Sequence, residues 1–138
     1  MNIYFSCSIT GGRDDQPVYG AIVDALLVDG HQVPTAILAS PDILSVEVVV
    51  SPLDVYQRDV AWVMGCDVLV AEISTPSHGV GYEIALALSL GKPVFCCYRQ
   101  GRKVSKMLSG NNHPQIRVVP YEDEQQAVTL IRDFLSQL

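Results

Sequence analysis

The chain has 138 residues, 49% hydrophobic and 17% charged, which suits one folded domain with a substantial core and excludes a disordered chain. A formal net charge of −6 argues against nonspecific nucleic-acid binding, which draws its affinity from Lys and Arg set against phosphates. No segment approaches the roughly 20 consecutive apolar residues of a membrane span, and "MNIYFSCSI" enters an apolar strand with no basic leader, so a soluble cytoplasmic protein is expected.

Short apolar runs alternate with helix-period segments from end to end, the pattern of a parallel sheet wrapped by helices. The first strand is expected over Ile3–Cys7, followed by the small-residue loop "SITGGRDD". Its Ser, Thr and paired glycines can turn tightly and offer hydroxyl and N–H groups to an anion, although such loops are commonly structural and neither G-x-G-x-x-G nor G-K-[ST] is present. A helix begins near Pro17 and stops before Gly30, and a second strand follows over Gln32–Thr35. Ser51 and Pro52 open the next helix, a capping residue followed by proline at the first helical position. Within it Asp59 has Val55 and Tyr56 at i−4 and i−3, and Trp62 and Val63 at i+3 and i+4. It therefore shares the face expected to be buried, while Gln57 and Arg58 fall toward solvent. An acid on an apolar stripe is costly unless it is paired, hydrogen-bonded or functional, and a hydrogen bond to a loop would satisfy it as well as catalysis would.

A third strand over Asp67–Ile73 runs into "STPSHGVGYE". Thr75, Ser77, Gly79 and the first N–H groups of a helix from about Val80 form a nest for an oxyanion or phosphate. Glu83 is expected in that helix's first turn, where an acid also complements the helix dipole. The residues after it, "IALALSL", are apolar on nearly every face, so the helix reads as buried and Glu83 as a partly sequestered carboxylate beside an anion site. His78 is expected to face solvent, and the direction of Glu72 is open. A fourth strand spans Pro93–Tyr98. After it "RQGRKVSK" holds Arg99, Arg102, Lys103 and Lys106, four of the nine basic residues, which read equally as a solvated loop or as a phosphate-steering patch. The fifth strand spans Arg117–Val119, and Val128, Ile131, Leu135 and Leu138 mark one buried stripe of the last helix.

The expected fold is α/β, a flavodoxin-like or Rossmann-like three-layer sandwich with a five-stranded parallel sheet, one domain over residues 1–138. Its simplest strand order is 2-1-3-4-5, with ligands at the carboxyl ends of strands one and three. Cys7, Cys66, Cys96 and Cys97 show no C-x-x-C spacing and read as buried free thiols of a reducing compartment. His31, His78 and His113 are scattered singly, so no metal and no cofactor is expected. A serine hydrolase would need a G-x-S-x-G elbow that is absent. Two acids approaching one pocket suit glycosidic chemistry, in which one carboxylate attacks or stabilises the anomeric carbon and another group manages the protons.

Three blocks, "IYFSCSITGGR", "RDVAWVMGCDVLVAEISTPSHGVGYEIALALSLGKP" and "GRKVSKM", resemble the 2′-deoxynucleoside 5′-phosphate N-hydrolases of the nucleoside 2-deoxyribosyltransferase superfamily. The resemblance covers almost the whole chain. It implies metal-free hydrolysis of the N-glycosidic bond of deoxynucleoside monophosphates to free base and 2-deoxyribose 5-phosphate. It further implies that Glu83 is the nucleophile, forming a glycosyl-enzyme intermediate, that Asp59 is the acid working with it, and that Tyr4 helps to hold the catalytic carboxylate. Ser77 and Gly79 match contacts to the 5′-phosphate. Ser8, Ile9, Thr10 and Gly11 match the loop that embraces the nucleotide. Ser105, with Met107 beside it, resembles a serine that reaches the phosphate in the neighbouring subunit's site, which implies a homodimer.

Two departures bear on substrate range. Thr10 stands where family members carry arginine in "SIRGGR", although Arg13 remains as a cation, and the loop from Arg99 to Ser105 is shorter. The related deoxyribosyltransferases hold an aspartate at the position of Ser77 for a free 5′-hydroxyl. A carboxylate there would repel a phosphate to which a serine can donate, so Ser77 favours monophosphates. Base exchange between deoxynucleosides, hydrolysis of ribonucleotides such as CMP, and a nucleotide sensor without turnover are the competing readings. Binding a phosphate requires neither Glu83 nor Asp59, which disfavours the sensor.

Overall fold

Strand side chains alternate between two faces, so each apolar run feeds two cores at once. The strands are β1 (Ile3–Ser6), β2 (Val68–Glu72), β3 (Val94–Arg99) and β4 (Ile116–Tyr121), all parallel and in the order β1-β2-β3-β4. The computed structural model describes residues 1–138, the side chains of residues 46 and 47 excepted. Six helices accompany the sheet: α1 (Gln16–Val28), α2 (Ile43–Glu47), α3 (Pro52–Gly65), α4 (His78–Ser89), α5 (Lys106–Ser109) and α6 (Glu124–Leu135), with a 3-10 turn over Ala36–Ala39.

Ile3, Phe5, Val70 and Phe95 pack with Val18 and Ile22 of α1 and Ile131 and Leu135 of α6. On the other face Tyr4, Leu69, Ala71 and Cys96 pack with Val63 of α3 and Ile84 and Ala87 of α4. Both faces of the sheet are thus covered, as an all-parallel sheet requires. Leu138, expected on the α6 stripe, lies beyond the helix and is exposed.

The sheet has four strands rather than the expected five. The segment Gln32–Thr35 is reduced to one parallel bridge between Gln32 and Asn2. Ile3 N–H donates to Gln32 O and Gln32 N–H to Met1 O, but Pro34 has no N–H to continue the ladder. The next N–H of β1, on Phe5, is accepted by the Thr35 hydroxyl at 2.9 Å instead of a strand carbonyl. At the opposite edge the strand expected to end at Val119 continues through Pro120. The carbonyls of Gln115 and Tyr121 accept from Val94 and Gln100 on the β3 side, so the even-numbered residues of β4 face outward and Pro120 forfeits no ladder bond.

Gln32 flanks β1 on one side and β2 flanks it on the other, so the winding reverses at β1. The loops after β1 and β2 meet there. A Cβ added to Gly11 would stand 2.6 Å from the Pro76 carbonyl oxygen and 2.9 Å from Ser8 Oγ, so only glycine permits this approach.

Candidate active site

β1 sends Tyr4 and Ser6 to the α3/α4 face, and Ser8 follows in the loop after the strand; all three side chains are buried. Ser6 Oγ donates to Glu83 Oε2 at 2.5 Å. Glu83 lies one turn deeper in α4 than expected, because the helix begins at His78 with Ser77 as its cap. The Ser77 hydroxyl accepts from Val80 N–H at 3.4 Å, which brings forward the start that the glycines suggested for Val80. Glu83 therefore projects from the second turn toward the end of β1.

Burial, with a smaller contribution from the charge of Asp59, pushes the Glu83 carboxyl up to about 7 against the opposing pull of the Ser6 and Tyr4 hydroxyls and Arg58. Burial and the same two acids push the Tyr4 phenol far above its ordinary value, so it stays protonated. Its hydroxyl, buried behind Glu83, makes no hydrogen bond of good geometry among the described residues.

Asp59 reaches the site from α3, with its side chain 18% exposed. Arg58, expected to point to solvent, donates from Nε to Asp59 Oδ1 at 2.8 Å, and its guanidinium lies 5.0 Å from the centre of the Trp62 ring. The face expected to be buried is half open, since α3 packs mainly on α4, with Val63 fully buried and Tyr56 54% exposed. Carboxylate and guanidinium therefore sit at the margin of the core, where each compensates the other's desolvation.

Asp59 and Glu83 line one depression of about 660 Å³, with Tyr56, Tyr82, Val63 and Leu86 among its walls. A second groove of about 930 Å³ is lined by Thr10, Gly11, Thr75, Ser77, His78, Gly79, Lys103, Ser105 and Met107. Thr10, His78 and Gly79 belong to both, so the two hollows join at the start of α4. His78 is exposed, as expected, and yet stands at this junction. Ser105 caps α5, its hydroxyl accepting from Met107 N–H at 3.3 Å, and Met107 is 82% exposed. Ser8 and Ile9 lie in the loop beneath and line neither hollow; Ser8 Oγ is buried without a hydrogen bond.

Two basic residues stand elsewhere than a phosphate site would want them. Arg13, which was to remain beside the nucleotide, donates to the carbonyls of Ser8, Leu38 and Ser40 and covers the Tyr19 ring. It ties the first loop to the turn after Pro34. Arg99 donates to the buried Asp15 and covers Tyr121, leaving Lys103 as the cation of that basic cluster on the groove wall. Glu72 points to the opposite face of the sheet, where it accepts from the Ser74 hydroxyl and N–H and from Tyr121 Oη at 2.9 Å. It supports the second loop from behind and takes no place in the site.

Ser6 and the Tyr56–Tyr82 pair, whose rings are 6.3 Å apart, were not among the expected site residues. The signal for Ser6 was present: it lies two residues after Tyr4 on the same strand face. The tyrosines are joined only by the packing of α3 on α4, which no local pattern carries.

Residues 3–130 match the family model for nucleoside 2-deoxyribosyltransferase. The chain is 37% identical over 142 residues to the 5-hydroxymethyl-dUMP N-hydrolase of Mus musculus, covering 99% of this chain and 82% of that one. It is 36% identical over 118 residues to a Methanococcoides burtonii protein bearing the provisional name 2′-deoxynucleoside 5′-phosphate N-hydrolase 1, covering 86% and 97%. Among solved structures, the Clostridium botulinum CMP N-glycosidase BcmB superposes with a TM-score of 0.73 at 16% identity, covering 96% of this chain and 98% of that one, which establishes a shared fold.

Proposed function

The chain belongs to the nucleoside 2-deoxyribosyltransferase family, and from that membership and the site geometry we propose that it is an N-glycosidase hydrolysing 2′-deoxynucleoside 5′-monophosphates. The observation that carries the reading is the joining of the hollow holding Glu83 and Asp59 to the groove holding Ser77 at the N-terminus of α4. A nucleotide laid across that junction puts its phosphate over the first N–H groups of α4, with the Ser77 hydroxyl and Lys103 beside it. Its anomeric carbon then meets Glu83, and its base enters the hollow between α3 and α4.

The Glu83 carboxylate attacks C1′ as the C1′–N bond breaks, and the bond's electron pair leaves with the base nitrogen. A solvent proton reaches that nitrogen, and in the second step the Asp59 carboxylate takes a proton from the water that attacks C1′ and returns it to solvent, which frees Glu83 and yields 2-deoxyribose 5-phosphate. Tyr4, held neutral, faces the carboxylate from behind. Thr10 and Gly11 lie over the junction.

Ser105 and Met107 belong to the groove of a chain in which Ala85 of α4 and Leu90 just after it are also exposed, which supports a homodimer in which a second copy closes each site. No helix among the described residues is long and apolar enough to cross a membrane. All four cysteines are buried free thiols, which supports a reducing, cytoplasmic location.

The test is chromatography of deoxynucleoside monophosphates, ribonucleoside monophosphates and deoxynucleosides after incubation with the purified protein in EDTA. Free base from the deoxynucleoside monophosphates is the expected result. Silence on them, with base exchange once a second base is added, would make the protein a transferase and overturn the reading of Ser77.

A further inference from the structure

Tyr4 and Ser6 arrive on one face of β1, each 1% exposed, and of the two hydroxyls that of Ser6 donates to Glu83 with good geometry. A carboxylate at the end of a flexible side chain has two equivalent oxygens, and attack on C1′ needs one of them aimed. We propose that Ser6 is the positioning residue of the nucleophile: by donating to Oε2 it fixes the carboxylate plane and presents Oε1 to the anomeric carbon. This rests on Glu83 being the nucleophile. As the Oε1–C1′ bond forms, Oε2 becomes the carbonyl oxygen of the glycosyl ester and still accepts from Ser6, so the same donor serves the carboxylate and the intermediate without rearranging. When water takes C1′ in the second step, Oε1 recovers its electron pair, and the Ser6 proton stays on its oxygen throughout.

The groups facing Glu83 come from two elements packed against α4. Tyr4 and Ser6 approach from β1, and Asp59 and Arg58 from α3, while His78, exposed at the start of α4, shares the hollow, and Cys7 carries a weaker electrostatic influence from the opposite face of the sheet. Asp59 favours the protonated acid, whereas Ser6, Tyr4 and Arg58 favour the carboxylate. Removing the Ser6 donor must therefore move the titration of Glu83 upward, and a merely space-filling Ser6 would leave it in place.

The experiment compares the wild type with Ser6→Ala and Ser6→Cys, in which the thiol is a weaker donor. One measurement is the pH profile of kcat/KM on a deoxynucleoside monophosphate, and the other is a carboxyl ¹³C NMR titration of Glu83 without substrate. The wild-type acid limb is expected near the Glu83 value of about 7. In Ser6→Ala it moves up by about one pH unit, as loss of a hydrogen bond to a charged group implies. Ser6→Cys falls between, and the NMR titration moves in parallel. Superimposable limbs, or a rate lowered equally at every pH with the Glu83 titration unmoved, would overturn the proposal. A wild type inactive on every deoxynucleoside monophosphate would overturn the hydrolase reading instead. The NMR titration alone would then support or sink the Ser6–Glu83 coupling.

Discussion

Glu83 sits where water cannot fully solvate its charge, so its carboxylate form is held in the folded protein against a free-energy cost. The sign of that cost is set by the raised value in the fold. Below about 4.5, the ordinary glutamate value, the side chain is neutral folded or unfolded and contributes no difference. As pH rises from there to about 7 the unfolded chain ionises first, stability falls, and above about 7 the loss is constant. Glu83→Gln removes the effect while keeping an oxygen that can accept from Ser6. Urea unfolding should find this variant equal to the wild type at pH 4 and more stable by about 1–3 kcal/mol at pH 8, with no hydrolytic activity. Equal stability at both values would mean that the carboxylate is better solvated than its burial implies.

At the scale of elements, the site is made by two loops that touch. Gly11 against the Pro76 carbonyl fixes how closely the loop after β1 approaches the loop that carries Ser77. Gly11→Ala has to separate them, because the opposing atom is backbone and cannot rotate away. It should cost about 1–3 kcal/mol of stability and raise KM for the monophosphate at least as strongly as it lowers kcat, as thermal melts and initial rates would reveal. An alanine variant with wild-type KM would mean that the loops move independently. Both acids of the proposed mechanism were legible in the sequence as candidates, Asp59 from its neighbours at three and four residues and Glu83 from its place at a glycine-rich helix entry. The roles of Arg13 and Arg58 were not. An arginine's reach is long enough that its partner is chosen by the tertiary fold, and here the choice was loop carbonyls for one and the adjacent Asp59 for the other. The missing fifth strand has a more local cause: "QVPT" has the composition of a short strand, but the proline withholds one donor and the threonine hydroxyl replaces the next acceptor.

For the whole molecule, the open part of α4 and the neighbouring α5 form the surface on which the proposed homodimer is to be tested. Ala85 is exposed, lines the groove with Ser105, and belongs to the surface proposed to meet a second copy. Ala85→Arg should turn a dimer into a monomer in sedimentation velocity and lower base release by tenfold or more, as about 1.4 kcal/mol or more of lost site closure would. A variant still dimeric and fully active would move the interface elsewhere. The margins of the sheet bear on the same question. Beyond β1 stands Gln32, held by its bridge, with Pro34 and the Thr35 hydroxyl occupying the positions that follow; on the outer side of β4 stands the ring of Pro120. Neither margin offers an unbroken row of donors and acceptors to an incoming chain, so lateral growth of the sheet into fibrils or swapped oligomers is discouraged at both ends, which leaves the helical faces as the surfaces open to the proposed pairing.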